Sequence, residues 1–279
     1  MSSNFGQDIK ISIFGQSHSK GIGVVVDGLP AGEAIDMDQV RLFMSRRAPG
    51  STDYVTPRKE EDEPIVLSGL LDGVTCGAPL CAMIENKDVR SKDYSGLRDT
   101  PRPSHADYPA HIKFEGFNDI RGGGHFSGRM TAPLCFAGAV CKQILARRGI
   151  RVGAHIAAIG TAQDKLFDPV CVTPALLDAI AEKAFPVIDD EAGALMIAQI
   201  EAAAQKQDSI GGVVECCAVG LPVGLGDPMF DGIENRLATA IFGIPAVRGL
   251  EFGAGFAAAK MRGSEHNDAY YYEEDKVKT

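Results

Sequence analysis

The chain has 279 residues, an apolar content of 45% and a mean hydropathy of −0.02, enough to bury a large core and typical of a soluble globular protein. No run reaches the ~18 consecutive apolar residues of a membrane span, and no apolar stretch follows MSSNFGQDIK, so neither a membrane segment nor a signal peptide is expected. A net charge of −9 and a pI of about 5.2 exclude bulk nucleic-acid binding.

The first motif in chain order is IFGQSHSK, which sets Ser17 beside His18 in a glycine-flanked turn. A nucleophile elbow needs G-x-S-x-G, and Ser19 stands where the last glycine belongs. Adjacent residues also rarely hydrogen-bond as nucleophile and base. The turn is better suited to present hydroxyls and N–H groups to an anion, with His18 as a proton donor.

From Gly23 to Gly50 the spacing predicts a strand at Val24–Val26, a turn at Leu29-Pro30-Ala31-Gly32, and a helix N-capped by Asp36. Arg46 and Arg47 fall in its expected last turn, before Pro49-Gly50 stops it. Arg41, Arg46 and Arg47 form one basic cluster, and Arg90, Arg98 and Arg102 another. In an acidic chain such clusters suit a small anionic ligand, or else are solvated faces.

Further strands are expected at Pro64–Leu67, Leu80–Ile84, Val152–Ile159 and Val213–Val219. Helices are expected from Thr131 to Arg148, from Thr173-Pro174 to about Phe185, and from Asp189 to about Gln207. Ala48 to Glu63 and Lys87 to Tyr108 read as long irregular stretches, which are usually functional. A strand–GLPxG–helix unit recurs from Gly212 to Gly243, its helix starting near Asp231. The recurrence points to an internal duplication with pseudo-two-fold symmetry.

Two stretches could carry chemistry besides the first turn. PRPSHADY places Arg102 between prolines and His105 two residues before Asp107, which could orient the imidazole. RGGGHFSGR brings His125, Phe126, Ser127 and Arg129 after three glycines, at the start of a helix that favours anions. No His pair has the i, i+4 spacing of a helical metal site, and the seven cysteines include no CxxC pair, so no metal is expected. An odd cysteine count without an export signal argues for free thiols in a reducing, cytoplasmic setting. EFGAGFAAAK satisfies G-x-G-x-x-A, and Val247–Phe252 is a plausible strand before it. The chain offers too few residues after it for a nicotinamide-binding half-domain.

The motifs together resemble chorismate synthase. GQSHSKGIGVVVDGLPAG, RRAPGS, SGLLDGVTCGAPL, IENKDVRSKDY, RPSHADY, RGGGHFSGR, DSIGGVVE, GLPVGLGDP and IPAVRGLEFGAGF occur in the family's order. The resemblance implies an α+β fold, a β-α-β sandwich with helices between antiparallel sheets, as one domain over residues 1–279 and a homotetramer. It implies a lyase of the shikimate pathway that makes chorismate from 5-enolpyruvylshikimate 3-phosphate. The step is a 1,4-anti elimination of phosphate with reduced FMN, which NADPH reduces in bifunctional members. By the family's pattern His18 protonates the departing phosphate and His105 manages a proton near the flavin. Ser17, Arg47, Arg102, Ser127 and Arg129 fall at substrate positions. His125, Phe126, Ser127 and Ala246 fall at flavin positions. Asp53 stands where many members have an arginine, and His125-Phe126 replaces a commoner Arg-Ser pair. The family's AGG…GG segment, Lys-Pro-Thr loop and Arg-x-Asp-Pro motif are not in the sequence. A second reading is therefore a non-catalytic flavin- or anion-binding relative.

Overall fold

Two neighbouring strands carry most of the buried residues at the centre of the first sheet, one of them buried at every second position. The computed structural model describes residues 3–48, 61–87, 96, 99–274 and 276–278. Pro49, Gly50, Asp53, Arg90 and Arg98 lie outside the described residues. In chain order the early elements are β1 (Asn4–Phe5), β2 (Lys10–Gly15), β3 (Gly21–Asp27), α1 (Met37–Ser45), β4 (Pro64–Ser68), β5 (Leu70–Leu71), β6 (Val74–Thr75) and β7 (Leu80–Glu85). Five of them form an antiparallel sheet in the order β1-β2-β3-β7-β4. Its register sets Ile22 opposite Ile84, Val24 opposite Ala82 and Val26 opposite Leu80, so one face is continuously apolar.

That face is covered by helices. After α2 (Asp107–Lys113) comes α3 (Thr131–Arg147), whose Ala132, Phe136, Ala137, Val140 and Ile144 share one core with the β3 and β7 residues and with Val40 and Met44 of α1. Burying a side chain the size of Phe136 contributes roughly 1.5–3 kcal/mol.

A second antiparallel sheet follows, ordered β10-β8-β9, from β8 (Arg151–Ile159), β9 (Ala162–Gln163) and β10 (Gly212–Val219). Helix α3 contacts β2, β3 and β7 of the first sheet and β8 of the second, so it lies between two antiparallel sheets. The fold is α+β, with the expected β-α-β layering. Helix α4 (Pro174–Ala181) packs on β8, where Gly153 leaves room for Leu177: a Cβ there would come within 2.8 Å of it. Helix α5 (Asp190–Gln205) contacts β8 and β9.

The repeated GLPxG turn has the same backbone twice. Gly28 and Gly220 have φ of 85° and 78°, and a Cβ on either would strike a carbonyl, Asp8 O at 2.1 Å or Gly149 O at 2.3 Å. Gly32 and Gly224 close the turns at 86° and 88°. Only glycine adopts these positions without strain.

The strands expected at Pro64–Leu67, Leu80–Ile84, Val152–Ile159 and Val213–Val219 form within a residue of their expected ends, and the one expected at Val24–Val26 runs from Gly21 to Asp27. Three helix boundaries differ. Helix α1 ends at Ser45, so Arg46 is its C-cap and Arg47 lies beyond it. Helix α4 stops at Ala181, because the following segment turns to give Pro186 O to the N–H of Ile156 at 2.8 Å. Helix α6 (Ile233–Ile241) is N-capped by Gly232, while Asp231 spends its carbonyl on the N–H of Asp227 at 3.1 Å.

The chain divides into two compact units, Met1–Gly224 and Leu225–Thr279. The second holds α6, a 3-10 turn at Gly255–Lys260, and a hairpin of β11 (Tyr271–Glu273) and β12 (Lys276–Lys278). The strand considered at Val247–Phe252 does not form. Gly255 and Ala258 sit in the 3-10 turn, so the strand–turn–helix context of a dinucleotide site is missing.

Candidate active site

The three glycines Gly122–Gly124 all have positive φ, 58°, 82° and 56°, and each admits a different neighbour. A Cβ on Gly122 would lie 2.3 Å from Cε1 of His18 and 2.6 Å from Oγ of Ser17. On Gly123 it would lie 2.8 Å from Cε1 of His105 and 3.5 Å from Nη2 of Arg102. On Gly124 it would strike Asp119 O at 2.1 Å. One bare stretch of backbone therefore brings together the SHS turn and the RPSHAD loop, which are far apart in sequence.

Ser17 and His18 sit in the β2–β3 turn, 1% and 6% exposed. The Ser17 N–H donates to Gly124 O at 3.1 Å, and Oγ is 3.1 Å from both Arg121 O and Gly122 O. Oγ also lies 3.1 Å from Nδ1 of His18, so these adjacent side chains do meet, contrary to the expectation from sequence. The hydroxyl has one proton, and two carbonyls compete for it. Nδ1–H of His18 then donates to Oγ, which fixes the tautomer and argues against Ser17 as a nucleophile.

His105 is set by Asp107, at the first position of α2. Asp107 Oδ1 lies 2.6 Å from Nδ1 of His105 and 2.9 Å from Nη2 of Arg102. Oδ2 accepts from Nε of Arg102 at 2.8 Å and from its N–H at 3.1 Å. The Arg102 side chain beside Asp107 lowers its pKa to about 2. The side chains of Arg102 and His105 keep 36% and 28% of their surface exposed, while that of Asp107 keeps 3%. Asp107 is the buried support and the other two face outward.

The remaining arginines meet a residue the sequence reading missed. Arg47 Nη1 donates to Oδ2 of Asp62, and Arg129 Nη1 to Oδ1 at 2.6 Å. Arg129 Nε donates to Asn86 Oδ1 at 2.7 Å, and Asn86 Nδ2 donates to Gln16 O and Ser19 O, each at 3.0 Å. Arg47 Nε reaches Thr131 Oγ1 at 3.3 Å. Arg129 is 5% exposed. Asp62 lies in none of the quoted motifs, and Asn86 lies within IENKDVRSKDY, but only the tertiary contacts give either a role.

His125 is held on both sides, Nδ1 2.7 Å from Gly15 O and Nε2 2.7 Å from Ser3 Oγ. Nδ1 must carry the proton to donate to a carbonyl, so both ring nitrogens are engaged by the chain. Phe126 is 37% exposed, its ring 6.4 Å from that of Phe114. Ser127 accepts from the Arg129 N–H at 3.3 Å, capping the turn before α3. Ala246 lies in the second unit, with φ of 71°.

The donor set fits a planar, anionic flavin. Half-buried Arg102 and His105 supply cationic and proton-carrying edges, and Phe126 an aromatic face.

Comparisons with known proteins point to one family. A family profile described as chorismate synthase matches residues 9–279. The chain is 43% identical over 282 residues to chorismate synthase of Dehalococcoides mccartyi, covering 100% of this chain and 76% of that one. It is 45% identical over 275 residues to chorismate synthase of Pyrococcus abyssi, covering 98% and 75%. A crystal structure of chorismate synthase superposes with a TM-score of 0.76 at 27% identity, covering 96% of this chain and 75% of that one.

Proposed function

The chain belongs to the chorismate synthase family, lyases of the shikimate route to aromatic amino acids, and on that premise we propose how its residues divide the reaction. The substrate, 5-enolpyruvylshikimate 3-phosphate, carries two carboxylates and a phosphate. Phosphate leaves one end of its allylic system and a proton leaves the other, giving chorismate.

Arg47, Arg102 and Arg129 supply fixed positive charge for those anions, since guanidinium forks match carboxylate and phosphate. His18 gives a proton to the departing phosphate. Its Nδ1–H is spent on Ser17, so the proton that moves is the Nε2 proton of the imidazolium, which leaves the neutral Nδ1–H ring behind. His105, oriented through Nδ1 by Asp107, holds or takes a proton at Nε2. Ser127 and Ser17 are hydroxyl contacts, Ser17 needing to leave a loop carbonyl to make one.

By the family's pattern, Phe126, Ser127 and, through its ring face or main chain, His125 are the groups of the first unit that would hold the flavin, beside His105; Ala246, in the second unit, is a flavin position by that pattern alone. Reduced FMN, when bound, supplies an electron transiently with no net redox change. We read both compact units as parts of one domain, and the enzyme as a cytoplasmic homotetramer. All seven cysteines are free thiols, which supports a reducing compartment.

The observation that carries this reading is the pair Gly122 and Gly123, adjacent residues that receive His18 and His105. The test is anaerobic mixing of the protein with 5-enolpyruvylshikimate 3-phosphate and chemically reduced FMN, followed by chorismate absorbance. A parallel arm with oxidised FMN and NADPH reports whether the protein reduces its own flavin.

A further inference from the structure

Asp62 is the most enclosed carboxylate near the site, its side chain 0% exposed, and it is shared by two arginines assigned to the substrate. Its backbone has φ of 52°, a left-handed conformation uncommon for a residue other than glycine and often kept at functional sites. One oxygen goes to each guanidinium. Two like charges held this close repel each other, and a shared anion between them both cancels the repulsion and fixes their separation.

The contacts continue on each side. Arg129 passes through Asn86 to the carbonyls of Gln16 and Ser19, which flank Ser17 and His18. Arg47 leads through Thr131 to Gly128 O, where Thr131 Oγ1 donates at 2.7 Å. Asp62 thus ties together the end of α1, the start of α3 and the β2–β3 turn. Among the described residues, nothing accepts from Nη2 of Arg47, whose side chain is 23% exposed.

We infer that Asp62 is a positioning residue for substrate binding: its carboxylate presets Arg47 and Arg129 so that the phosphate or carboxylates of the substrate meet an arranged pair. Such preorganisation removes reorganisation at the moment of binding. The inference rests on the reading that Arg47 and Arg129 bind the substrate.

The experiment measures affinity for 5-enolpyruvylshikimate 3-phosphate and for reduced FMN, with kcat and KM, in Asp62→Asn and Asp62→Glu. Asn keeps the shape and loses the charge. Glu keeps the charge and moves it by one methylene. The expected result is that Asp62→Asn raises the substrate Kd and KM by roughly tenfold or more, kcat changes less, and flavin affinity holds. Asp62→Glu should retain more substrate affinity than Asp62→Asn. A packing role predicts the reverse order of the two variants. Wild-type or tighter substrate binding in Asp62→Asn overturns the proposal, as does weaker binding in Asp62→Glu than in Asp62→Asn. If Asp62→Asn does not fold, Asp62→Glu must still bind substrate more weakly than wild type with flavin affinity intact, and unchanged substrate affinity overturns the proposal. Arg47→Ala and Arg129→Ala separate the two readings. If neither weakens substrate binding, the substrate assignment itself fails. If both do and Asp62→Asn does not, only the role of Asp62 fails.

Discussion

Nδ1 of His105 lies 2.6 Å from Oδ1 of Asp107, and the same carboxylate grips Arg102 through Nε at 2.8 Å and Nη2 at 2.9 Å. One buried acid therefore sets two outward-facing groups of the proposed site. Arg102 lowers the Asp107 pKa from 3.8 to about 2. A depressed carboxylate stabilises the fold at pH above its unfolded value, and the contribution is lost as pH falls through the folded value. Asp107→Asn should therefore cost about 2 kcal/mol at neutral pH. The gap to wild type should shrink between roughly pH 4 and pH 2. Urea melts across that range check it, and a gap that stays constant to pH 2 contradicts it. Turnover should fall as well, since His105 loses its anionic support.

Gly122→Ala and Gly123→Ala should each remove most activity. Both residues have positive φ, where alanine costs on the order of 1 kcal/mol or more. Each new methyl also collides with a histidine, at 2.3 Å for His18 and 2.8 Å for His105. Gly128→Ala is the control, with nothing within 4 Å of its added Cβ. It should keep near-wild-type turnover in the same assay.

Gly138 lies within α3, and a Cβ there meets nothing within 4 Å. Gly138→Ala should stabilise the protein by about 0.5–1 kcal/mol through helix propensity alone. A raised thermal midpoint with unchanged kcat is the expected result. A lowered midpoint would mean that the site is more crowded than the structure shows.

His155 sits between two carboxylates in the second sheet, Nδ1 3.1 Å from Asp164 and Nε2 2.7 Å from Glu215, directly opposite on β10. The imidazole is fully buried, edge-on to Phe167 at 4.7 Å. Asp164 also accepts from the N–H groups of Ile188 and Asp189 at 2.5 and 2.9 Å. His155→Leu takes one partner from each acid, while Asp164 keeps Ile188 and Asp189 and Glu215 keeps the N–H of Phe167, and should cost roughly 1–3 kcal/mol. Denaturant unfolding reads this directly, and substrate affinity in the folded fraction should be unchanged.

Much of the fold was legible because its signals are local. Asp36, Thr173 and Asp189 cap helices where the sequence placed them, each side chain accepting from the first-turn N–H groups. The apolar β-branched run of β3 and the alternating β7 form paired strands. The motif residues Ser17, His18, Arg102, His105 and Arg129 of the proposed site all fall around one loop or its hydrogen-bonded neighbours. Asp62 and the His155 cluster were not legible, nor was the contact of Asn86, although its motif was. Asp62 acts through partners at positions 47 and 129, and His155 through a cross-strand neighbour at 215, separations on which no local pattern reports. The end of α4 was misjudged for a similar reason, since the β8 hydrogen bond to Pro186 decides it.

The most direct test of the central claim is chorismate formation from 5-enolpyruvylshikimate 3-phosphate and chemically reduced FMN, compared between wild type and His18→Ala. Loss of a general acid lowers the rate by typically 10²–10⁴-fold. The account predicts chorismate from wild type, a fall of that size in His18→Ala, and substrate affinity within a few-fold of wild type. Equal rates in the two proteins, or a wild type that binds substrate and flavin yet forms no chorismate, would contradict it.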